Sequence, residues 1–303
     1  MDPSVVRLIR TAADAVDPRS LPAVPRANRV LMAEPTFYDV ANVENPHMEE
    51  NIGRVDRFAA RRQWRDLLRH YQRLGVQVTV VPGQPLLPDL VFTANQVLPV
   101  PPGLMGEGAG GIRSIMKSAH REPEVAHIVS ALEAQGLIIE SLNPYEVARF
   151  EGTGDGIWHP GRALLYGGVG DRSCEEAWLR VGAMTGAPVA LLKLVDPRFY
   201  HLDTCLSVID ERTAVIVPHA FDLDALGILR TQFERLLEVS VDDAMKMFCN
   251  GHSPDGRHYI VQPGAEAADD LRALGVEVVE VETGEFLRSG GSVFCMKLHY
   301  WAA

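Results

Sequence analysis

Cys295, in the run Gly290-Gly291-Ser292-Val293-Phe294-Cys295-Met296, is the residue of this chain with the most chemistry to offer. A thiolate is a nucleophile, and a neighbouring base or cation must generate it. Three other segments carry the partners it would need: Phe150-Glu151-Gly152-Thr153-Gly154-Asp155, Phe199-Tyr200-His201-Leu202-Asp203-Thr204, and Pro88-Asp89-Leu90-Val91-Phe92-Thr93-Ala94-Asn95. His201 is the candidate acid/base. Read as a strand, His201 and Asp203 at i and i+2 face one site together. Glu151 and Asp155 enclose glycines that permit a tight backbone and close approach to a ligand ahead of a hairpin. Asp89 and Asn95 flank an apolar run, Leu90–Thr93, that reads as a strand. A cysteine, a histidine and a ring of carboxylates suit a cationic substrate.

On residue type alone, each segment also admits an ordinary role: a structural cysteine, a polar strand start, a surface turn, a polar strand end. His159, His252 and His299 read as scattered or satisfied polar residues. His201, Asp203, Glu151 and Asp155 are metal-ligand types too. Yet no His-x-x-x-His or His-Glu-x-x-His occurs, and a metal would leave the cysteine without a role, so no metal is expected.

The elements that must bring these distant segments together repeat along the chain in type, not in letters. Most units read as two short strands, a helix and a further strand. The first has strands at Arg29–Met32 and Val76–Val81 around a helix from about Asp56 to Leu74. The second has Leu90–Thr93, Gln96–Val100, a helix near Glu122–Gln135 and Leu137–Glu140. The third has a hairpin of Gly156–Trp158 and Ala163–Tyr166, a helix near Cys174–Met184, and Val189–Leu192. The fourth has Thr204–Ile209, Thr213–Val217, a helix around Leu223–Leu237 and a strand near Glu238-Val239. The fifth has Met245–Asn250, His258–Val261, a helix near Ala265–Leu274 and Val276–Val279. Ser292–His299 is the last strand. Five such units imply radial repetition about an axis, with loops converging at one end to form a site. The competing reading is a doubly wound α/β sheet. Residues 1–25 form a proline-containing lead-in to a single domain spanning 1–303, and the glycine-rich stretch 103–111 reads as a surface loop or mobile lid, since no Lys-Ser/Thr follows it as a phosphate loop requires.

Composition narrows the class. At 47% hydrophobic and 23% charged residues over 303 positions, the chain can bury a sizeable core. No apolar run approaches the ~18–20 residues that span a bilayer, and Met1–Ser4 opens no basic-then-apolar leader, so a cytoplasmic protein with no membrane partner is expected. The four cysteines fit no Cys-x-x-Cys or zinc spacing and are expected as free thiols. A net charge of −11 argues against nucleic acid as a partner and is compatible with a cationic small molecule. Nothing in the composition fixes the oligomeric state, and a homo-oligomer stays open.

Taken in order, Phe-Thr-Ala-Asn (92–95), Glu-Gly-Thr-Gly-Asp (151–155), Phe-Tyr-His-Leu-Asp-Thr (199–204), Cys249-Asn250 and Gly-Gly-Ser-Val-Phe-Cys (290–295) resemble the guanidino-group-modifying superfamily, the penteins. That group includes arginine deiminase, dimethylarginine dimethylaminohydrolase, arginine dihydrolase and the amidinotransferases. The resemblance extends from Glu34–Val40 and Asn45–Met48 to Cys295. It implies a five-bladed α/β propeller of ββαβ modules, with Cys295 as nucleophile, His201 as acid/base, Glu151 holding the guanidinium, and Asp203 and Asp155 adding hydrogen bonds to it. Asn95 stands where deiminases carry aspartate, and the asparagine form resembles arginine dihydrolases. Gln96, the following glycine-rich loop, Gly156–His159 and Gly251-His252 depart from the pattern, which bears on the substrate tail. The implied chemistry is attack of the thiolate on the guanidinium carbon, protonation of the departing amine by His201, and hydrolysis of an amidino-thioether without any cofactor. A dihydrolase acting on a small cationic guanidino substrate is favoured. The alternatives are a dimethylarginine hydrolase or deiminase giving citrulline, an amidinotransferase, and a non-enzymatic binding member of the fold like the ribosome anti-association factors.

Overall fold

Five mixed sheets share one construction. The structure, a computed structural model, describes residues 6–302. In each sheet the middle strand is followed by a helix and then by a strand lying parallel to that middle one, because a parallel return needs a crossover long enough to hold a helix. The parallel pairs are Arg29–Ala33 with Gln77–Val81, Gly110–Arg113 with Ile138–Ser141, Leu165–Val169 with Val189–Lys193, Thr213–Ile216 with Arg235–Glu238, and His258–Val261 with Glu277–Glu280. The crossover helices are Arg57–Arg73, Glu122–Glu133, Glu175–Thr185, Leu223–Gln232 and Ala267–Ala273. On the other side of four middle strands lies a short antiparallel strand: Leu298–Tyr300, Val97–Val100, Gly156–Trp158 and Leu206–Val208. In the fifth sheet a single bridge, His252 to Ile260, takes that place. The third sheet gains an edge strand, Leu8–Ile9, from the lead-in; residues 1–5 of that lead-in lie outside the described residues.

The first sheet joins the two ends of the chain. Leu298–Tyr300 pairs with Arg29–Ala33, so the strand carried by the C-terminal segment completes a unit begun near residue 29. The helix Arg57–Arg73 shows how sequence sets these units. Asp56 accepts hydrogen bonds from the amides of Phe58 and Ala59 and starts the helix, and Ala60, Gln63, Trp64, Leu67 and Tyr71 form one buried stripe at helical spacing. In the third unit Trp178 fills the space above Gly167, where a Cβ would stand 2.6 Å from its ring, and its indole N–H donates to Gly168 O at 2.7 Å.

Four expected strands fold differently. Ser292–His299 is a turn through residue 296 and becomes a strand only at Leu298–Tyr300. Leu90–Thr93 is largely a 3-10 turn, Pro88–Val91, because Pro88 sets its first residue and removes a ladder donor. Met245–Asn250 is the end of one short helix and a second 3-10 turn, Phe248–Asn250, joined by Met247 in the left-handed region. His201 caps the 3-10 turn Leu202–Thr204, so His201 and Asp203 are not strand neighbours. The strand Gly110–Arg113, hidden in the glycine-rich stretch, was not anticipated; Gly110 and Gly111 lie against Ile138 and Ile139 where a side chain would collide.

Candidate active site

Five residues each sit just before the short antiparallel strand or bridge of their unit: Asn95 before Val97, Asp155 before Gly156, Asp203 before Leu206, Asn250 before the His252 bridge, and Cys295 before Leu298. Hydrogen bonds tie these five segments into a closed ring. Thr153 N and Oγ1 donate to Ala94 O at 2.8 and 2.7 Å. Leu202 N donates to Asp155 Oδ1 at 3.0 Å. Asn250 Nδ2 donates to Asp203 O at 3.0 Å, and Asn250 Oδ1 accepts from the amides of Ser292 and Cys295 at 2.8 and 3.2 Å. Ala94 N donates to Cys295 O at 3.2 Å and closes the circle. The glycines of the 151–155 segment let the ring draw tight. Gly152 has φ +50°, and a Cβ on it would stand 2.6 Å from Val97 O; one on Gly154 would strike Asn95 Nδ2 and sit 3.2 Å from the His201 ring.

Cys295 and His201 face one small cavity, about 20 Å³, together with Asp89, Asn95, Arg121, Arg172 and Tyr200. That volume holds little more than a water molecule. The segment 44–48 also lines it, through Glu44, Asn45 and Met48: Asn45 Nδ2 donates to Ser289 O at 2.9 Å, and Glu44 is held through its carbonyl by Arg172 and through its carboxylate by Ser118 Oγ.

Cys295 Sγ donates to Asp203 Oδ2 and accepts from Asn250 Nδ2, both at 3.2 Å. Burial, and then the Asp203 carboxylate, push the thiol's pKa well above its ordinary value, so in this state the sulfur keeps its proton. Burial also raises Asp203 to about 7 and Asp155 to about 6, and raises Asp89. Four buried polar atoms in this cluster, Asp89 Oδ1, Asn95 Nδ2, Asp155 Oδ2 and Asp203 Oδ1, have no protein hydrogen-bond partner. Buried polar atoms are normally satisfied, so such a concentration of orphans marks a place built for a ligand. Of the three carboxyl groups among them only Asp89 lines the cavity, which Arg121 and Arg172 line as well, while Asp203 stands behind it in contact with Cys295 Sγ; the Asp89 oxygen suits a hydrogen-bond donor.

Glu151 is placed differently from its expected role. Its Oε2 meets His201 Nε2 at 2.7 Å and Arg172 Nη1 at 3.3 Å, and its Oε1 accepts from Lys117 N at 3.0 Å. Both oxygens are engaged and Glu151 is not among the residues lining the cavity, so in this state its carboxylate meets the imidazole and not the cavity. Burial works to raise its carboxyl, but His201, Arg172 and Arg121 outweigh that and hold it at about 2. Asp155 likewise anchors the His201 loop through Leu202 N and does not line the cavity. Asp89 does line it, with an unpartnered oxygen. Asn95 Oδ1 is taken by Arg121 Nη1 at 2.9 Å, which leaves its Nδ2 as the available donor. Arg121, Arg172 and Asn250 carry much of this geometry, and only the last stands in a motif legible in the sequence, Cys249-Asn250. A lone arginine in a sequence carries no local sign that it will be buried.

The strain of burying Asp203 gives a measurable expectation. In the unfolded chain this carboxyl ionises near pH 3.8, while in the fold it keeps its proton to about 7. The fold therefore loses stability relative to the unfolded chain as pH rises between those values, and the full cost is present above pH 7. Asp203→Asn is expected to match the wild-type melting temperature near pH 4 and to exceed it by several degrees at pH 8. Calorimetry at both pH values checks this, and a difference that does not change with pH would contradict it.

Among the described residues, no group of three or more His, Cys, Asp or Glu is arranged to hold a metal ion, and no helix is long and apolar enough to cross a membrane. All four cysteines are free and buried.

This arrangement has counterparts. A family model described as N,N dimethylarginine dimethylhydrolase, eukaryotic, matches residues 41–300. An N(G),N(G)-dimethylarginine dimethylaminohydrolase of Mycobacterium tuberculosis is 34% identical over 90% of this chain and 86% of its own length. The bifunctional arginine dihydrolase/ornithine cyclodeaminase AgrE of Nostoc is 31% identical over 89% of this chain, which spans only 37% of that longer protein. The crystal structure of the N-terminal domain of ArgZ, a cyanobacterial arginine dihydrolase, in a cysteine-to-serine form bound to substrate, superposes with a TM-score of 0.83 at 28% identity, over 89% of this chain and 97% of that one. The α/β architecture of mixed sheets is thus that of the solved pentein structures, and the chain belongs to the dimethylarginine dimethylhydrolase family of guanidino-modifying enzymes.

Proposed function

We propose that the chain is a cysteine-dependent hydrolase of the guanidinium group of free arginine or a close derivative, with arginine dihydrolase activity favoured. One observation carries this reading: a closed ring of hydrogen bonds holds Cys295 and His201 at one cavity beside acids with unpartnered oxygens. The same ring supports reading 1–303 as a single catalytic domain whose five sheets stand around a common axis as a five-bladed α/β propeller.

The geometry suggests how the reaction runs. The cavity must widen by movement of the segment 44–48 before a substrate enters. Asp89 and Asp203 then take the guanidinium N–H donors, and buried Arg121 and Arg172 face the anionic end of an amino-acid substrate. Arrival of a cation beside Asp203 and Cys295 offsets the charge that keeps the thiol protonated, so the nucleophile forms when substrate is present. The thiolate adds to the guanidinium carbon. His201, held by Glu151, gives a proton to the departing ammonia, and the C–N bond breaks to leave an amidino-thioether on Cys295. His201 then takes a proton from water, whose oxygen adds to the same carbon, and the C–S bond breaks to release the ureido product.

Asn95 favours a second round. A carboxylate in its place would suit only N–H donors, but the Asn95 Nδ2 donor suits an oxygen, and the ureido product carries one. Repetition of the cycle on that product gives ornithine, carbon dioxide and a second ammonia. The family match favours the other reading, hydrolysis of methylated arginine to citrulline and an alkylamine. Incubation with arginine, N-methylated arginines, citrulline and agmatine, with products identified by mass spectrometry, decides between them. Ornithine from arginine, with two ammonia released for each, is the expected result. Citrulline and dimethylamine from dimethylarginine alone would assign the second reading. Turnover only with an added acceptor amine would assign an amidinotransferase, and no product from any guanidine would overturn the proposal.

A further inference from the structure

A second pair of cavities shares no lining residue with the cavity of Cys295. The inner one, about 70 Å³, has room for roughly five waters or one small ring. Its walls are aromatic. Trp158 ends the strand Gly156–Trp158, Trp301 follows Leu298–Tyr300, and Phe294 stands between them and the catalytic loop. Both indole N–H groups are already engaged, with Pro99 O at 2.9 Å and Pro25 O at 2.7 Å, so the two tryptophans offer apolar surface alone. His252 and His299 add a flat wall, their rings 5.5 Å apart and 6° from parallel.

A wider cleft of about 910 Å³ adjoins this pocket, and Arg26 and His159 line both. Every other charged side chain lining the cleft has an opposite partner: Asp17 with Arg19, Glu234 with Arg212, Asp210 with Arg235, Glu211 with Arg162, and Arg230 with Glu238. Arg26 alone makes no ion pair or side-chain hydrogen bond among the described residues. His159 stands beside it with a second unmet group. Its Nδ1 lies 2.9 Å from the hydroxyl of Tyr166, which is fully buried and has no other partner among the described residues. Burial first, then Arg162 and Arg26, lower the His159 pKa to about 4, so the ring is neutral and carries one proton. The Tyr166 hydroxyl can place its own proton only on Nδ1, which puts the ring proton on Nε2. That buried Nε2 has no protein partner. An orphaned N–H and an unmatched guanidinium thus meet where an aromatic pocket opens.

We propose that this second site binds a small planar monocarboxylate, with its ring among Trp158, Phe294 and Trp301 and its carboxylate at the junction, on Arg26 and His159 Nε2. One guanidinium and one N–H donor match one carboxylate. A dianion such as phosphate would leave a charge facing Asp210 and Glu211, which line the same cleft. Binding there does not depend on which guanidine the Cys295 cavity takes.

Benzoate is the probe. Calorimetry with the wild-type protein should show saturable binding with a Kd of about 1 mM or tighter. Acetate keeps the charge without the ring, and benzamide keeps the ring without the charge. Each should bind about tenfold more weakly than benzoate, or not at all. Arg26→Gln should weaken benzoate by about tenfold as well. A crystal soaked in benzoate should show the ring beside Trp158 and Trp301. The proposal is overturned by an absence of saturable benzoate binding, by acetate or benzamide binding as tightly, by unchanged affinity in a folded Arg26→Gln protein, or by density beside Cys295 alone. The ligand comparisons and the crystal use the wild type, so they decide the matter even if the variant fails to fold.

Discussion

In Cys295→Ser, hydrolysis of the guanidino substrate is expected to fall by at least about 10⁴-fold in kcat, with the fold and substrate binding intact. The substitution changes one atom. A hydroxyl can keep the contacts that Asp203 Oδ2 and Asn250 Nδ2 make with the sulfur, and the amide of residue 295 still donates to Asn250 Oδ1, so the ring of segments stays closed. What disappears is the accessible thiolate. A buried thiol already ionises with difficulty here, and a hydroxyl, a far weaker acid, does not ionise at all beside Asp203. The measurement is initial rate of ammonia release, paired with mass spectrometry of the quenched protein. Wild type should show a transient adduct on the peptide containing Cys295, and the variant none. A variant within tenfold of wild type would remove the nucleophile from the mechanism altogether. Unchanged binding of arginine to the variant, read by calorimetry, separates this loss from one of folding.

The chemistry was more legible in the sequence than the backbone that carries it, and particular residues show why. Cys295, His201, Glu151, Asp155 and Asn95 stand in short motifs whose glycines and ordered repetition along the chain survive without any knowledge of contacts. Periodicity fixed the helix Arg57–Arg73 because one face repeats over four turns. It failed at Leu90–Thr93, where three apolar residues and a threonine satisfy a strand and a 3-10 turn equally well, and at Met245–Asn250, where the residue that breaks the strand, Met247, is left-handed without being glycine. The role of Glu151 could not be read locally either. Whether its carboxylate holds a ligand or a histidine depends on Arg172 and Lys117, which approach from other loops.

Glu151→Gln is the sharper test of the site, because it preserves shape and removes only charge. Turnover is expected to fall by about 10²–10³-fold while substrate affinity changes much less. Glutamine can still meet one nitrogen of His201 or the guanidinium of Arg172. It cannot neutralise an imidazolium, and the acid step requires that ion as ammonia departs. The loss should therefore appear in kcat more than in KM, and it should be smaller for a substrate whose leaving group needs less help from a proton. Stability supplies a second reading with a definite sign. The folded carboxyl is held at about 2, below its ordinary value of 4.5, so the wild type draws stability from it above pH 4.5 and loses that contribution as pH falls toward 2. In the glutamine variant this acid-dependent portion is absent, and its melting temperature should decline less steeply over that range, from a lower starting value, because Arg172 is left buried with a weaker partner. A variant with kcat within threefold of wild type would mean that His201 is aligned by the ring of backbone hydrogen bonds alone. Asp155, which fixes the same loop through Leu202 N, would then be the acid on which the histidine depends.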